Sequence, residues 1–170
     1  SGHVAALGFE LYVEMLNEAV AELSGQQRVV ARPVRIDARV DAYVPAAYVQ
    51  AEALKIDLHR RIALSEHEDE LRELRAATED RYGPLPEPVE NLFRLQEARL
   101  ALALVGADYL VFRGGRVTVG PVSLAASELR ALRARAETAV YPSARQEVAI
   151  RAEGLEGALA LADAIVAARR

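Results

Sequence analysis

Apolar residues recur at spacings of three and four through most of this chain, and at spacings of two in a short region after residue 107. From Val44 to Leu104 the pattern predicts three helices in series. The first is expected to start at Pro45, where a missing N–H costs nothing and φ is already helical. Its inner stripe is Tyr48, Ala51, Leu54, Leu58 and Ile62. Ser65-Glu66-His67-Glu68 reads as a capping box opening the second helix, with Leu71, Leu74 and Thr78 inward. Gly83 is expected to supply a left-handed C-cap and Pro84 to stop the helix. Pro86 and Pro88 bracket the start of the third. Its inner positions are Val89, Leu92, Phe93, Gln96, Leu100 and Ala103, and Gly106 ends it.

The flanks read differently. Leu7 to Leu23 predicts a helix, with Leu11, Met15, Leu16, Ala19, Val20 and Leu23 inward. Glu10, Glu14, Glu18 and Glu22 lie opposite, as a solvated acidic face or a docking face for a basic partner. Val34 and Ile36 share one side of an extended segment, and Pro33, unable to donate to a ladder, makes it an edge strand. Tyr109 to Val119, broken by Gly114-Gly115, predicts a β-hairpin, because two glycines permit the positive φ of a tight turn. Gly120-Pro121 ends it. Ala125 to Ala136 reads as a helix with Leu129 and Leu132 inward. Gln146 to Arg151 reads as a strand with Val148 and Ile150 on one face. Leu155 to Ala168 reads as a helix with Leu155, Leu159, Ala162, Ile165 and Val166 inward. The expected fold is α+β and helix-rich: a multi-helix N-terminal part followed by a small ββαβα unit. The expected sub-parts are a junction helix over 1–28, an edge strand plus three helices over 29–106, and the α+β unit over 107–170.

Composition narrows the classes. An apolar fraction of 52% in 170 residues supports a real core. With 21 basic and 25 acidic residues the net charge is −4, which argues against a dedicated nucleic-acid surface. Cysteine is absent, so disulfides and thiolate metal sites are excluded. No signal peptide is visible and no apolar run approaches the roughly 20 residues of a membrane span, so a cytoplasmic protein is expected.

Catalytic signatures are sparse. The P-loop pattern is missing, and the single lysine, Lys55, lies mid-helix. Zincin and nucleophile-elbow patterns are missing too. The densest set of metal-ligand types is Asp57, His59, Glu66, His67 and Glu68. His59 and His67 are separated by an expected helix break, and solvated polar residues are the alternative reading. Arg60 is expected to be solvated, and Arg61 to lie beside the helix seam with its stem packed. Arg113 and Arg116 flank the hairpin turn, where they suit either solvation or a phosphate contact. Tyr82 is expected to plug the core under its turn.

Several motifs together carry a family resemblance. Ser1-Gly2-His3-Val4 with Gly8-Phe9-Glu10-Leu11-Tyr12, then Val34-Arg35-Ile36-Asp37 with Asp41-Ala42-Tyr43-Val44-Pro45, come first. Arg60-Arg61-Ile62-Ala63 and Asp80-Arg81-Tyr82-Gly83-Pro84-Leu85-Pro86 follow in order. Over residues 1–106 the chain resembles the C-terminal domain of bacterial transcription-repair coupling factors, the Mfd family. The resemblance implies a single regulatory domain over 1–170. Its parent would be an ATP-dependent DNA translocase that displaces stalled RNA polymerase and recruits UvrA for nucleotide excision repair. ATP and Mg²⁺ would bind in the upstream body, with no cofactor and no strong DNA binding here. The domain would dock on the N-terminal UvrB-like module of the same chain, covering its UvrA-binding surface and restraining the motor.

The second helix is the expected docking face, through Glu66, Asp69, Glu70, Glu73, Ala77, Glu79 and Asp80, because UvrA-binding surfaces in such modules tend to be basic. Ala77 departs from the family, which commonly has an acid three positions before the Asp80 equivalent. Arg81, Tyr82, Gly83 and Pro84 are expected to form a structural turn. The competing classes are an accessory domain contacting DNA or RNA polymerase and, with least support, a small metal-dependent hydrolase.

Overall fold

The computed structural model describes residues 34–152 and 154–170. The expected helix over Leu7–Leu23 and its four glutamates lie outside the described residues. Among those described there are five helices and one four-stranded sheet, so the fold is α+β as expected. The elements are β1 (Arg35–Ala38), α1 (Glu52–Leu64), α2 (Glu68–Tyr82), α3 (Glu87–Leu104), β2 (Tyr109–Arg113), β3 (Arg116–Gly120), α4 (Ala126–Arg135), β4 (Val148–Arg151) and α5 (Gly154–Arg169). They fall into two compact units. One comprises Arg39–Glu97; the other comprises β1 and Ala98–Arg170.

In the helical unit, α1 buries Leu58, Ile62 and Ala63, α2 buries Leu71, Leu74 and Thr78, and α3 buries Val89, Leu92, Phe93, Leu95 and Gln96. Two helix starts differ from expectation. Pro45 opens a single turn, accepting from the Tyr48 and Val49 N–H groups at 3.0 and 3.1 Å, and α1 begins only at Glu52. The turn takes Val49 into the core while Ala51 stays exposed, so the predicted stripe begins too early. Ser65 does not cap α2. Its hydroxyl donates back to the Arg61 carbonyl at 2.8 Å, and its backbone N–H closes α1 on Ile62. The N-cap of α2 is His67, with no side-chain bond, and it is Glu70 that reaches back to the Glu66 N–H, at 3.0 Å.

Gly83 caps α2 at φ 90° and ψ −172°. The positive φ is as expected. The ψ is extended rather than left-handed helical, a region open essentially to glycine alone.

In the sheet unit the strand order is β1-β2-β3-β4, with β1 parallel to β2 and the rest antiparallel. β1 is an edge strand, as Pro33 suggests, and it pairs with β2, which lies beyond the three helices that β1 precedes in the sequence. The hairpin turns at Gly114 and Gly115, with φ of 56° and 71°. One sheet face carries Leu110, Val117, Val119 and Val148, all buried, with Leu132 of α4 and Leu161, Ala162 and Ile165 of α5 completing the core. The ββαβα order after residue 107 is as read. Leu129, Leu159 and Val166 are only half-buried.

The last turns of α3 also depart from expectation. Leu100 is half-buried and Ala103 exposed, while Ala98, Arg99, Ala101 and Leu102 are buried. From Ala98 onward the helix belongs to the sheet unit. A stripe extrapolated from its first turns therefore misses the positions buried in its last turns.

Candidate functional site

The seven residues expected to form a docking face are all exposed. Leu71, Leu74 and Thr78 face the core, and Thr78 closes its hydroxyl on the Leu74 carbonyl at 2.7 Å, so the acidic positions of α2 are turned to solvent. They do not make one surface. Glu70, Glu73 and Ala77 line a groove of about 490 Å³ whose opposite wall is Arg60 and Arg61, with Leu74 at its floor. Asp80 continues that stripe seven residues beyond Glu73. Glu79 lies on another side, close enough to Tyr48 for its charge to help hold that phenol above its usual range, after the larger effect of burial. Asp69 is taken up locally by Arg72 at 2.8 Å.

The groove is bipolar. Arg60 pairs loosely with Asp57 at 3.5 Å. Arg61 is exposed, not packed on the helix seam as expected, because the α1 core is complete with Leu58, Ile62 and Ala63. Among the described residues the buried arginine is Arg99, 6% exposed, and burial pushes its pKa down to about 10. Arg75 ties α2 to α3: its guanidinium pairs with Glu90, lies 3.6 Å from Glu97 and sits 5.7 Å from the centre of the Phe93 ring.

The turn after α2 is built around Tyr48, a residue the periodicity assigned to the helix stripe. Its hydroxyl donates to the Gly83 carbonyl at 2.7 Å, and its ring lies 5.7 Å from that of Tyr82. Tyr82 is half-buried, with the Arg81 guanidinium 5.1 Å from its ring centre, so the plug under the turn is shared by two tyrosines. The polar signal that found no use in the sequence was Gln96, an amide on an apolar stripe. It is 5% exposed and its NH₂ group donates to the Ser65 carbonyl at 3.0 Å, fixing the α1–α2 connection beside the groove.

The suggested metal set does not converge. His59 turns inward and its Nε2 accepts the Val44 N–H at 3.3 Å, whereas His67 is exposed at the start of α2. Among the described residues no group of three or more His, Cys, Asp or Glu side chains is placed to hold a metal. No helix among them is long and apolar enough to cross a membrane.

With this geometry in place, likeness to known proteins decides the family. The TRCF domain family matches residues 38–130, more than half of the chain. The chain belongs to the TRCF domain family. Its TRCF match takes in the whole of α1, α2 and α3, and with them the groove and the Tyr48 turn. The chain is 32% identical to the transcription-repair-coupling factor of Mycobacterium bovis over 136 residues, which is 73% of this chain and 11% of the relative. It is 36% identical to the Myxococcus xanthus protein of the same name over 131 residues, 73% of this chain and 10% of the relative. The chain thus spans about a tenth of the length of the curated relatives it matches. Its fold resembles a crystal structure of a C-terminal domain of transcription-repair coupling factor, with a TM-score of 0.70 at 17% identity, covering 80% of this chain and 93% of that one.

Proposed function

We propose that this TRCF-family chain is the C-terminal regulatory domain of a cytoplasmic, ATP-dependent DNA translocase that couples transcription to nucleotide excision repair. In this reading it docks on the N-terminal UvrB-like module of its own polypeptide and covers the surface that UvrA binds. RNA polymerase acts indirectly, by engaging the parent and releasing the contact. ATP and Mg²⁺ belong to the upstream body. The observation that carries the reading is the exposed acidic stripe Glu70, Glu73 and Asp80 on α2, held on a rigid helix within the family-matched region.

The energetics are undemanding. Suppressing UvrA binding about a hundredfold requires roughly 2.7 kcal/mol of preference for the closed state. A tether raises the effective concentration, so a weak polar interface suffices and still opens under competition. Ala77 sits exposed within the stripe, between Glu73 and Asp80, and leaves a gap in its charge. Ala77→Glu is expected to tighten the closed state.

The test compares UvrA affinity in the intact parent, in Glu73→Arg/Asp80→Arg and in a parent lacking these 170 residues. Both substitutions are on exposed helix positions, so the fold is expected to survive. Reversal should raise UvrA affinity and basal ATPase together, and truncation should raise both at least as far. Release by truncation alone would move the contact to another face. No change in either would sink the masking reading and favour an accessory contact to DNA or RNA polymerase.

A further inference from the structure

The sheet unit carries a charge arrangement that its own stability does not explain. In the strand register Arg113 lies opposite Arg116, and Arg116 opposite Arg151. Directly opposed residues project from the same face of a sheet, so three arginines stand side by side across β2, β3 and β4. This is the face without Leu110, Val117 and Val119, and all three arginines are exposed. Arg113 is neutralised by Asp37 of β1. Arg116 and Arg151 have no ionic or hydrogen-bonding side-chain partner among the described residues. Like charges directly opposed across strands are destabilising.

The same two arginines line a groove of about 730 Å³ at the edge of the sheet. Thr138, Val140, Ala149, Ile150 and the turn glycines Gly114 and Gly115 complete its walls, and among the described residues no acidic side chain lines it. Val140 is 54% exposed, an apolar surface beside the cationic pair. The groove therefore offers two guanidinium forks carried on backbones about one strand spacing apart (~4.8 Å), a hydroxyl, and an aliphatic patch.

We infer that this groove binds an acidic peptide segment, in which two nearby carboxylates engage Arg116 and Arg151 and a neighbouring aliphatic side chain covers Val140. Guanidinium forks match carboxylates in bidentate geometry, and arginine clusters recur where acidic motifs are read. A nucleic-acid strand fits less well. Tyr109, the aromatic residue of this face, sits at the far end of the strands with its hydroxyl committed to Glu147 at 2.6 Å, so it provides no stacking platform beside the groove. The chain's net charge of −4 also opposes tracking of a phosphate backbone.

The test uses the full chain and a fluorescein-labelled peptide, Glu-Leu-Glu-Asp-Leu-Glu, followed by anisotropy. Its Gln/Asn analogue and a short single-stranded oligothymidylate serve as the other arms. The acidic peptide should bind saturably and the neutral analogue should not. Arg116→Glu or Arg151→Glu should weaken binding about tenfold or more, the loss expected for one charge-assisted hydrogen-bonded pair. Arg130→Glu, at an exposed position of α4 outside both grooves, should leave it unchanged. Melting curves verify the fold, and Arg151→Gln gives the same reading should a glutamate variant unfold. Absence of saturable binding, or binding indifferent to Arg116 and Arg151, overturns the inference. Tighter oligothymidylate binding through the same arginines overturns it in favour of nucleic acid.

Discussion

The helical unit fixes its connections with buried or half-buried side chains, whereas the sheet unit relies on its backbone ladder. In the first, Gln96 holds the α1–α2 link, Asn91 donates to the Asp41 carbonyl at 2.9 Å, Tyr48 holds the Gly83 turn and His59 holds Val44. In the second, four strands satisfy one another's backbone groups. Side-chain locks there sit at the ends: Tyr109 on Glu147, Tyr141 on the Val122 carbonyl, and Arg169 on the Val105 and Ser123 carbonyls. Helices meet their own hydrogen-bonding needs internally and leave the loops between them to be satisfied by something else. The docking face proposed on α2 would be held in place by those loop locks.

The largest expected effect attacks what both units share, an apolar core. Phe93 is fully buried and packs under Arg75. Phe93→Ala should cost about 3–5 kcal/mol, read as a lower urea midpoint. A cost below about 1 kcal/mol, the range of a tolerated volume change, would mean the helical unit repacks freely and is no rigid platform.

The contrast is sharpened by Gln96→Leu. By periodicity alone, leucine suits this inner position and should be neutral or stabilising. The geometry predicts the opposite, a loss of about 1–3 kcal/mol, because the Ser65 carbonyl would lose its donor in a buried place. Unchanged stability would show that water replaces the amide and that the polar locks are dispensable.

Gly83→Val comes next. At φ 90° and ψ −172° the backbone excludes a Cβ on conformational grounds alone, since nothing lies within 4 Å of where it would be. The expected cost is about 1–3 kcal/mol, or roughly 2–4 °C in melting temperature per kcal/mol for a chain of this size. Tyr48→Phe, which removes only the hydroxyl bond to the same turn, should cost about 0.5–1.5 kcal/mol. Should Tyr48→Phe cost more than Gly83→Val, the turn is held by its lock and not by its glycine.

The same contrast explains what the sequence could and could not disclose. The hairpin, the final helix and the inner residues Leu71, Leu74 and Thr78 were legible because alternation and helical period reflect a single buried side. Gly83 was legible because a glycine before proline has few other uses. Pro45 misled: one turn satisfies its carbonyl, and the chain then spends Tyr48 on a contact 35 residues away, which no local pattern encodes. Ser65 misled because a hydroxyl suits the end of one helix as well as the start of the next, and the Arg61 carbonyl was nearer. The stripe of α3 failed after Gln96 because the helix changes the core it serves. On the candidate face, exposure was legible from the charges. The separation of Glu79 from Glu73 was legible as well, since six residues at 3.6 per turn leave them roughly a third of a turn apart on any helix.

The smallest expected effect is a pH dependence confined to the helical unit. Burial holds the His59 imidazole below its ordinary pKa of 6.5; the Lys55 charge adds to this and Glu52 opposes it. The neutral ring is also the form whose Nε2 can accept the Val44 N–H. The unfolded chain therefore binds the His59 proton first as pH falls. Stability rises with pH wherever the unfolded state holds more protons, so the contribution is fully present above pH 6.5 and is lost as pH falls from there towards the depressed folded value. His59→Gln has no proton to gain. The stability advantage of the natural protein over this variant, measured by urea denaturation, should shrink between about pH 7.5 and 5.5, above most carboxylate titration. An advantage constant across that window would show that His59 is protonated equally in both states, and the Val44 contact would then contribute nothing to holding the loop that leads into α1.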